Sequence, residues 1–419
     1  MPSMLKTDVN LEQACSDIVT FIRQRLLDDD GVLIMGIRSD GVPNKSRIID
    51  DFGDVAPFIA LYGGEDICHT HLQLIESDPS ETDFTRAFAY TDLIFGLIWY
   101  AKVGTHSELA RSLAVNLAEK AYQKWSSDRG FSSVEYKGLV LPIANGIDTT
   151  YLEVWTEMYR LTNDPKWLER AEWTFDFWKK IQDSNPKQLI PVRTVATKSG
   201  MMQTLLQHYY HPTRIMKDNT NYGFGLLDLY RCTKRSDCKE AFDRLVSTLS
   251  LLVQQEAFTN RLPSGSGRCI ELLPTFAYVD VLCDAYQLIG EDSYRSNAIL
   301  LADYWLKKQN TKTGLFPKTS TSTNSYFDSE TDMGVALLKL YECTHDEKYL
   351  LSVSKLIAGL YEFHYQQEYA LEVDVQTGSV KTKNIKTKFV ALAIKLLHLA
   401  QSDSTIYTSD NLFMLAKDR

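Results

Sequence analysis

The sequence predicts an all-α fold in which inner and outer helices alternate around a closed ring, an (α/α)6 or (α/α)7 toroid. Three observations predict it. A pattern of apolar helix, short polar turn and amphipathic helix repeats along the chain. The first helix of each pair is apolar around most of its circumference, whereas the second has one charged face. A turn signal such as KQLIP (187–191) or TGLFP (313–317) then precedes the next apolar helix.

An aromatic anchor marks the end of each apolar helix. MYRLTNDPKWL (158–168) and LYECTHDEKYL (340–350) are two of five clear copies, with a weaker copy before them and a partial copy at the end. The spacing between anchors runs from 38 residues (62 to 100) to 71 residues (159 to 230), which is room for a helix pair and two connections. The anchors are Tyr62, Tyr100, Tyr159, Tyr230, Tyr286, Tyr341 and His398.

The two ends of the chain are predicted to meet. The N-terminal helix, about residues 11–27, has no inner helix before it. It can therefore serve as the outer partner of the last helix, residues 386–400, and close the ring. We expect one domain over residues 1–419, with seven inner helices if the short 51–77 unit is regular and six if it is not.

Composition excludes several classes of protein. The net charge is 45 − 54 = −9 and no basic tail is present, which argues against nucleic acids and anionic membranes as partners. We find neither an apolar run long enough to span a membrane nor a signal-peptide core, so a cytoplasmic location is expected. The seven cysteines are scattered, and no CxxC, HExxH, Walker or GxGxxG motif occurs, so no metal or other cofactor is predicted.

The hairpin pattern resembles the (α/α) barrel of many carbohydrate-active proteins. They include glucoamylase-like and cellulase-like glycosidases, class I α-mannosidases, unsaturated glucuronyl hydrolases, N-acylglucosamine epimerases and glucuronyl C5-epimerases. The resemblance covers nearly the whole chain as architecture and rests on no diagnostic motif. It implies a small-molecule or oligosaccharide substrate and leaves the oligomeric state open. No catalytic residue is transferred from it, because fold does not imply function.

A pocket is expected where the inner helices begin, since helix N-termini and the long return loops gather at that end. Asp54, with Asp50 and Asp51 before it, opens the first inner helix, and neighbouring carboxylates raise one another's pKa. Glu271 precedes the apolar LLP of the fifth inner helix, and the sixth begins at SYFDSETDM. Helix capping is the alternative for Asp50 and Asp51, and a surface pair with Arg268 for Glu271. The catalytic candidates are Asp54, Glu271, Glu330 and Asp332.

Other polar residues near the helix starts are candidates for substrate binding. Asp92 interrupts an apolar stretch, with an ion pair to Arg86 as the alternative, and Asp148 is also a natural N-cap. The segment 192–222 is interpreted as a long loop rich in aromatic, imidazole and guanidinium groups. Lysines near residue 388 indicate local positive charge that can receive an anionic substrate. The substrate-binding candidates are Asp92, Asp148, Arg193, His208, His211, Tyr222, Arg268 and Tyr326.

Three functions are compatible with these residues. The first is a glycoside hydrolase with paired carboxylates at the starts of inner helices. The second is a sugar epimerase, isomerase or uronate lyase that uses Tyr, His and Arg. The third is a non-catalytic helical scaffold. Converging carboxylates in a deep pocket would favour hydrolysis, which is our first hypothesis.

Overall fold

The computed structural model describes residues 7–127, 130–195, 212–254 and 271–401, without the side chains of 195, 212–215 and 252–254. Fourteen α-helices lie within these ranges, and they alternate between an inner and an outer position. The inner helices are α2 (Phe52–Leu61), α4 (Ala87–Val103), α6 (Tyr151–Thr162), α8 (Pro212–Thr233), α10 (Leu272–Ile289), α12 (Phe327–Thr344) and α14 (Thr387–Gln401). The outer helices are α1 (Leu11–Arg25), α3 (Glu65–Ser77), α5 (Ser107–Trp125), α7 (Pro165–Ser184), α9 (Ser236–Gln254), α11 (Asp292–Leu306) and α13 (Glu347–Phe363).

The inner helices form a closed ring. Each packs against the next, and α14 packs against α2. Each outer helix packs on the inner helix of its own pair, and α1 packs on α14. The Tyr62 hydroxyl lies 2.9 Å from His398 Nδ1, so the first and last anchors are in contact. The predicted all-α toroid is confirmed, with seven inner helices in the described ranges. One domain over residues 1–419 stays a prediction, since 402–419 lie outside the described part.

The repeated tyrosines mark helix ends for a reason visible in the backbone. The carbonyls of Tyr159, Tyr230, Tyr286 and Tyr341 each accept the N–H of the residue four positions later. That residue has a left-handed conformation, which ends an α-helix. An acidic N-cap then starts the next helix at two of these turns. The left-handed residues are Asn163, Lys234, Gly290 and His345, and the N-caps are Asp164 and Asp346.

Short antiparallel strands occupy the return segments, joined as β12–β1–β2, β11–β10–β9, β3–β4, β5–β6 and β7–β8. They are accompanied by 3-10 helices at Pro79–Thr82, Gly146–Thr150 and Tyr365–Gln367. The strands are β1 (Ile34–Ile37), β2 (Pro43–Arg47), β3 (Ser126–Ser127), β4 (Gly130–Phe131), β5 (Val134–Tyr136), β6 (Leu139–Leu141), β7 (Ile143–Asn145), β8 (Arg193–Val195), β9 (Asn324–Tyr326), β10 (Glu372–Asp374), β11 (Val380–Thr382) and β12 (Ile385–Lys386).

One described helix, α10, is long and apolar enough to span a membrane, with a mean hydropathy of 1.2 over 18 residues. It packs between α8 and α12 in the ring, where its apolar residues contribute to the core. Asp280 and Asp284 interrupt its sequence and bind Lys339 of α12. These contacts are those of a core helix of the ring.

Candidate active site

A cavity of about 570 Å³ lies inside the ring where the inner helices begin. This volume is within the usual range for small-molecule sites. Six of the inner helices contribute lining residues from their first two turns or the residue before, and Thr150 contributes from the 3-10 helix that precedes α6. Met35, Ile48 and Lys386, on or next to the β12–β1–β2 sheet, complete the lining.

One stripe of each inner helix faces this cavity, because residues three or four apart share a helix face. On α4 the stripe is Phe88, Asp92, Phe95 and Trp99. The stripes on α12 and α14 continue the lining, with Asp328 and Asp332 on the first and Lys388, Leu392 and Lys395 on the second. The cavity is therefore lined by charged groups alternating with flat apolar rings.

Four of these charged residues form what we call the lysine-bridged group: Asp51, Asp54, Asp92 and Lys388. The ammonium of Lys388 lies 2.8 Å from Asp51 Oδ1, pairs with Asp54, and lies 3.7 Å from Asp92 Oδ2. Burial opposes the charge of Lys388, but the three carboxylates outweigh it and hold its pKa well above the usual value. Carboxylate oxygens of the three aspartates lie within 4.8 Å of one another, a spacing that suits a cation. The lysine ammonium already supplies that positive charge.

Asp92 has the properties of a proton donor. Burial, reinforced by the charge of Asp54, raises the pKa of its carboxyl to about 8. Asp92 is thus mostly protonated at neutral pH, as a general acid must be. The sequence indicates this residue only as a polar interruption of an apolar stretch, because the charge that raises its pKa comes from another helix.

Two glycines bring Asp54 and Asp92 together. A methyl group on Gly53 would lie 1.8 Å from the carbonyl oxygen of Asp92, and one on Gly96 would lie 1.8 Å from Gly53 Cα. The backbones of α2 and α4 are therefore in direct contact. Because Asp54 follows Gly53 and Asp92 is one turn before Gly96, this contact places both carboxyls beside Lys388.

A second set of charges, which we call the unpaired group, consists of Lys217, Asp328, Asp332 and Lys395. All four line the cavity and are half-buried, and none has a hydrogen-bond or salt-bridge partner among the described residues. Burial and the charge of Asp332 raise the pKa of Asp328 to about 7. Burial also raises the pKa of Asp332, although Lys395 opposes the rise. Asp328 can therefore gain and lose a proton near neutral pH, and its titration is linked to the charge of Asp332.

Beyond the cavity, toward the C-terminal ends of the inner helices, the interior of the ring contains salt bridges. Glu157 is 2% exposed and accepts from Lys102 at 3.2 Å. Lys339 is 7% exposed and pairs with Asp280 and, at 3.0 Å, with Asp284. These buried pairs lie nearer the C-terminal ends of the inner helices than most of the cavity lining does.

Three predicted site residues, Asp54, Asp92 and Asp332, meet in this cavity. Tyr326 lies next to it, with its ring edge-on to Phe389 at a centroid distance of 5.8 Å. Burial, with the charge of Asp328, raises the pKa of the Tyr326 hydroxyl to about 12. His208, His211 and Arg268 lie outside the described residues.

Two catalytic candidates lie outside the cavity lining. Glu330 is fully buried, and its Oε1 accepts from the Phe316 amide at 2.7 Å and the Ser325 hydroxyl at 2.6 Å. It holds the return segment against α12 and does not face the interior of the ring. Glu271 is the N-cap of α10, and its backbone bridges to Thr319. We therefore omit both from the catalytic set.

Three binding candidates also lie outside the lining. Asp148 accepts from the Ser133 hydroxyl and the Asn145 amide in a capping box whose N-cap is Asn145, so Asp148 has a capping role without being the N-cap that the sequence suggested. Tyr222 is fully buried, with its hydroxyl 3.5 Å from Gln182 Oε1. Arg193 is exposed, and its Nε donates to Asn145 Oδ1 at 3.1 Å.

The sequence analysis missed Lys217 and Lys395, and the reason differs for each. Segment 192–222 is not all loop, since α8 begins at Pro212, a residue favoured in the first turn of a helix. The polar residues KDNTN that resemble a loop are thus helical, and Lys217 lies on the cavity side. Lys395 follows Lys388 by seven residues, and this helical spacing was the available signal for it.

The raised pKa values predict that the protein loses stability as the pH rises. Asp92 and Glu330 have pKa values near 8 and Asp328 near 7, above their values in an unfolded chain. The folded state therefore binds more protons between about pH 4 and 8, and the free energy of unfolding falls across this range. We expect a lower urea midpoint at pH 8 than at pH 5.5.

Glu330→Gln supplies the control for this pH dependence. The amide keeps an acceptor for Phe316 and Ser325 and cannot ionise, so the fall in midpoint should be smaller in this variant. A wild-type midpoint that is constant or rises over this range would contradict the expectation.

Comparison with known proteins places the fold among enzymes that act on sugars. No family model matches the chain, and no curated protein matches its sequence. A D-mannose isomerase structure superposes with a TM-score of 0.57 at 12% identity, covering 93% of this chain and 97% of that one. An unsaturated glucuronyl hydrolase specific for heparin gives 0.55 at 10% identity, covering 93% and 96%. An inactive variant of an α-1,6-mannanase of Salegentibacter sp. HEL1_6, in complex with α-1,6-mannotetrose, gives 0.54 at 13%, covering 84% and 100%.

These likenesses define the fold. The chain has the (α/α) toroid that carbohydrate-active enzymes of several reaction types share. The reaction has to be argued from the cavity itself.

Proposed function

We propose that this protein is a carbohydrate-active enzyme and, within that class, a glycoside hydrolase. The observation that carries the proposal is the meeting of five carboxyl groups from α12, α4 and the start of α2 in one cavity lined with aromatic rings. The structural neighbours support the broader class, since those named above are a sugar isomerase and two hydrolases of sugar chains.

The carboxyls suit glycosidic bond cleavage because they differ in protonation. Asp92 is protonated at neutral pH and donates its proton to the glycosidic oxygen as the bond to the anomeric carbon breaks. Water attacks that carbon, and the proton it loses passes to the ionised member of the Asp328–Asp332 pair. Exchange with solvent then restores both groups. Asp54 remains bound to Lys388, and its charge adds to the burial that keeps the pKa of Asp92 high.

The position of the second carboxylate follows from the geometry. Asp51, Asp54 and Asp92 are grouped around one ammonium with oxygens within 4.8 Å, so they act from one side of a substrate. Asp328 and Asp332 belong to α12, which is separated from α2 in the ring by α14. A sugar between these two groups would have a carboxyl on either side of its scissile bond, as hydrolysis requires.

Aromatic rings provide the remaining contact surface. Flat apolar side chains on four inner helices line the cavity, and the apolar face of a sugar ring packs well against them. They explain how a cavity with so many charges can still hold a hydroxyl-rich ring in one orientation. The rings are Phe58, Phe88, Phe95, Trp99, Phe276 and Phe389.

A sugar epimerase or isomerase is the second candidate, favoured by the isomerase and epimerase structures among the neighbours. The described part of the lining contains aspartates and lysines but no histidine or arginine. Proton transfer at carbon would therefore fall to Lys or Asp in this part of the chain. The hydrolase remains our preferred function because the carboxyl groups that hydrolysis needs line the cavity.

Turnover in labelled water separates these functions. We would incubate the protein with mannose and glucose oligosaccharides and with uronic-acid oligosaccharides in H2¹⁸O or D2O, and analyse the products by mass spectrometry. Hydrolysis places ¹⁸O at the new reducing end, and Asp332→Asn should reduce the rate about 10²-fold or more. The buried control Glu330→Gln should retain it. Deuterium at a sugar carbon without cleavage would replace the hydrolase by the epimerase, and the absence of any turnover would favour a scaffold.

A further inference from the structure

The cavity contains charged side chains that have no hydrogen-bond or salt-bridge partner among the described residues. In the lysine-bridged group each carboxylate lies within 3.7 Å of the Lys388 ammonium. In the unpaired group no partner lies within reach in the described ranges, although all four side chains are half-buried. Half-buried ammonium groups without a partner are unfavourable, and a bound ligand of opposite charge would relieve that cost.

The two lysines of the unpaired group come from different parts of the ring. Lys217 is on α8, which neighbours α6 and α10, whereas Lys395 is on α14, which neighbours α12 and α2. Lys217 lines the same cavity as Asp92, Asp328 and Asp332, and its charge opposes the pKa rise of all three. The charge of Lys395 likewise opposes the pKa rise of Asp332. The two ammonium groups therefore face the same part of the cavity.

The pairing of the lysines indicates the sign of the missing partner. The described part of the lining has five carboxyls and four lysines. Lys388 is paired with Asp51 and Asp54, whereas Lys217 and Lys395 have no carboxylate within salt-bridge distance in the described ranges. Burial raises the pKa of both carboxyls of the unpaired group, which weakens their negative charge, so the two ammonium groups are left to be neutralised. The missing partner is thus an anion.

We propose that Lys217 and Lys395 bind an acidic substituent of the substrate, so that the enzyme acts on an anionic sugar. This inference rests on the proposed carbohydrate-active function and names its substrate class. The shared chemistry is an anionic oxygen group, found in a uronate carboxylate and in a sugar phosphate. The acidic substituent lies against the ammonium groups of Lys217 and Lys395, and the scissile bond lies between Asp92 and the Asp328–Asp332 pair.

Binding measurements on the full chain test this directly. We would determine Kd by calorimetry for D-glucuronate, its neutral amide D-glucuronamide, D-glucose 6-phosphate and D-glucose. We expect at least one anion to bind ten times or more tightly than its neutral counterpart, with a preference that weakens as salt is added. A preference for glucuronate over the amide identifies a carboxylate site, and one for the phosphate over glucose identifies a phosphate site.

Lysine variants connect the preference to these residues. Lys217→Met and Lys395→Met should each reduce it about tenfold, while Lys217→Arg should retain most of it. Lys383→Met is the matched control, since Lys383 is exposed and outside the cavity lining. Thermal unfolding of each variant checks that it is folded. Equal affinity for charged and neutral sugars, or a preference unchanged in both methionine variants, would overturn the proposal.

The outcomes separate this inference from the proposed hydrolase. Turnover of neutral oligosaccharides that depends on Asp332 but not on the lysines would refute the proposed anionic substrate and support the proposed hydrolase. Lysine-dependent binding of an anion without any cleavage would refute the proposed hydrolase and support the proposed anion site.

Discussion

Replacing Asp92 by Asn is expected to reduce kcat at pH 7 by about 10²- to 10⁴-fold, the usual contribution of a general acid. Asn has the shape of the neutral carboxyl that predominates at this pH, but it cannot release a proton to a leaving group. The wild-type rate should fall as the pH rises through about 8, since Asp92 then loses its proton. The measurement is kcat against pH on whichever oligosaccharide the labelled-water screen identifies.

The Asp92→Asn variant should fold normally. It replaces a group that is mostly neutral with a permanently neutral one, so its urea midpoint should match or exceed the wild-type value, with the larger gain at high pH. Glu330→Gln is the matched control, because Glu330 is also buried with a pKa near 8 but lies outside the cavity lining. An Asp92→Asn enzyme with wild-type kcat and an unchanged alkaline limb would exclude Asp92 as the acid.

The fold could be predicted from the sequence because its signals are local and repeated. Four of the six Tyr anchors precede a left-handed residue and, at two of these turns, an acidic N-cap, and these neighbours along the chain decide where helices end and begin. Six inner helices could not be distinguished from seven in the same way. That number depends on whether the short 51–77 unit supplies an inner helix, and α2 takes that place through contacts with α4 and with α14, which is far away in the sequence.

Site residues could be predicted from the sequence only where they lie near the start of an inner helix. Asp54 and Asp332 were found because they lie in the first two turns of α2 and α12. Glu330 lies two residues before Asp332 on the same helix, and this separation turns it into the return segment instead of the cavity. The role of Asp92 depends on the contact between α2 and α4, which only tertiary packing determines. Lys217 was missed because the start of α8 was interpreted as a loop.

The contact between α2 and α4 leads to the second large effect, which is on both stability and activity. Gly96→Ala should destabilise the protein by about 3 kcal/mol or more, at the upper end for overpacking. The added methyl would meet the Cα and carbonyl oxygen of Gly53, and backbone atoms cannot move aside as a side chain can. The better helix propensity of Ala offsets only about 1 kcal/mol of this. Urea denaturation and thermal unfolding of the purified variant give the measurement.

Activity should fall in Gly96→Ala even among folded molecules. If α2 and α4 separate, Asp54 moves away from Asp92, and the charge that helps to keep Asp92 protonated weakens. The alkaline limb of the kcat profile should then move to lower pH.

Gly223→Ala is the matched control on inner helix α8, where the nearest atoms to an added methyl group are side-chain carbons of Phe242 and Val281 at 3.2 and 3.3 Å. Those side chains can adjust, so Gly223→Ala should change stability by less than about 1 kcal/mol. Equal effects of the two substitutions would show that the glycine contact does not set the separation of α2 and α4.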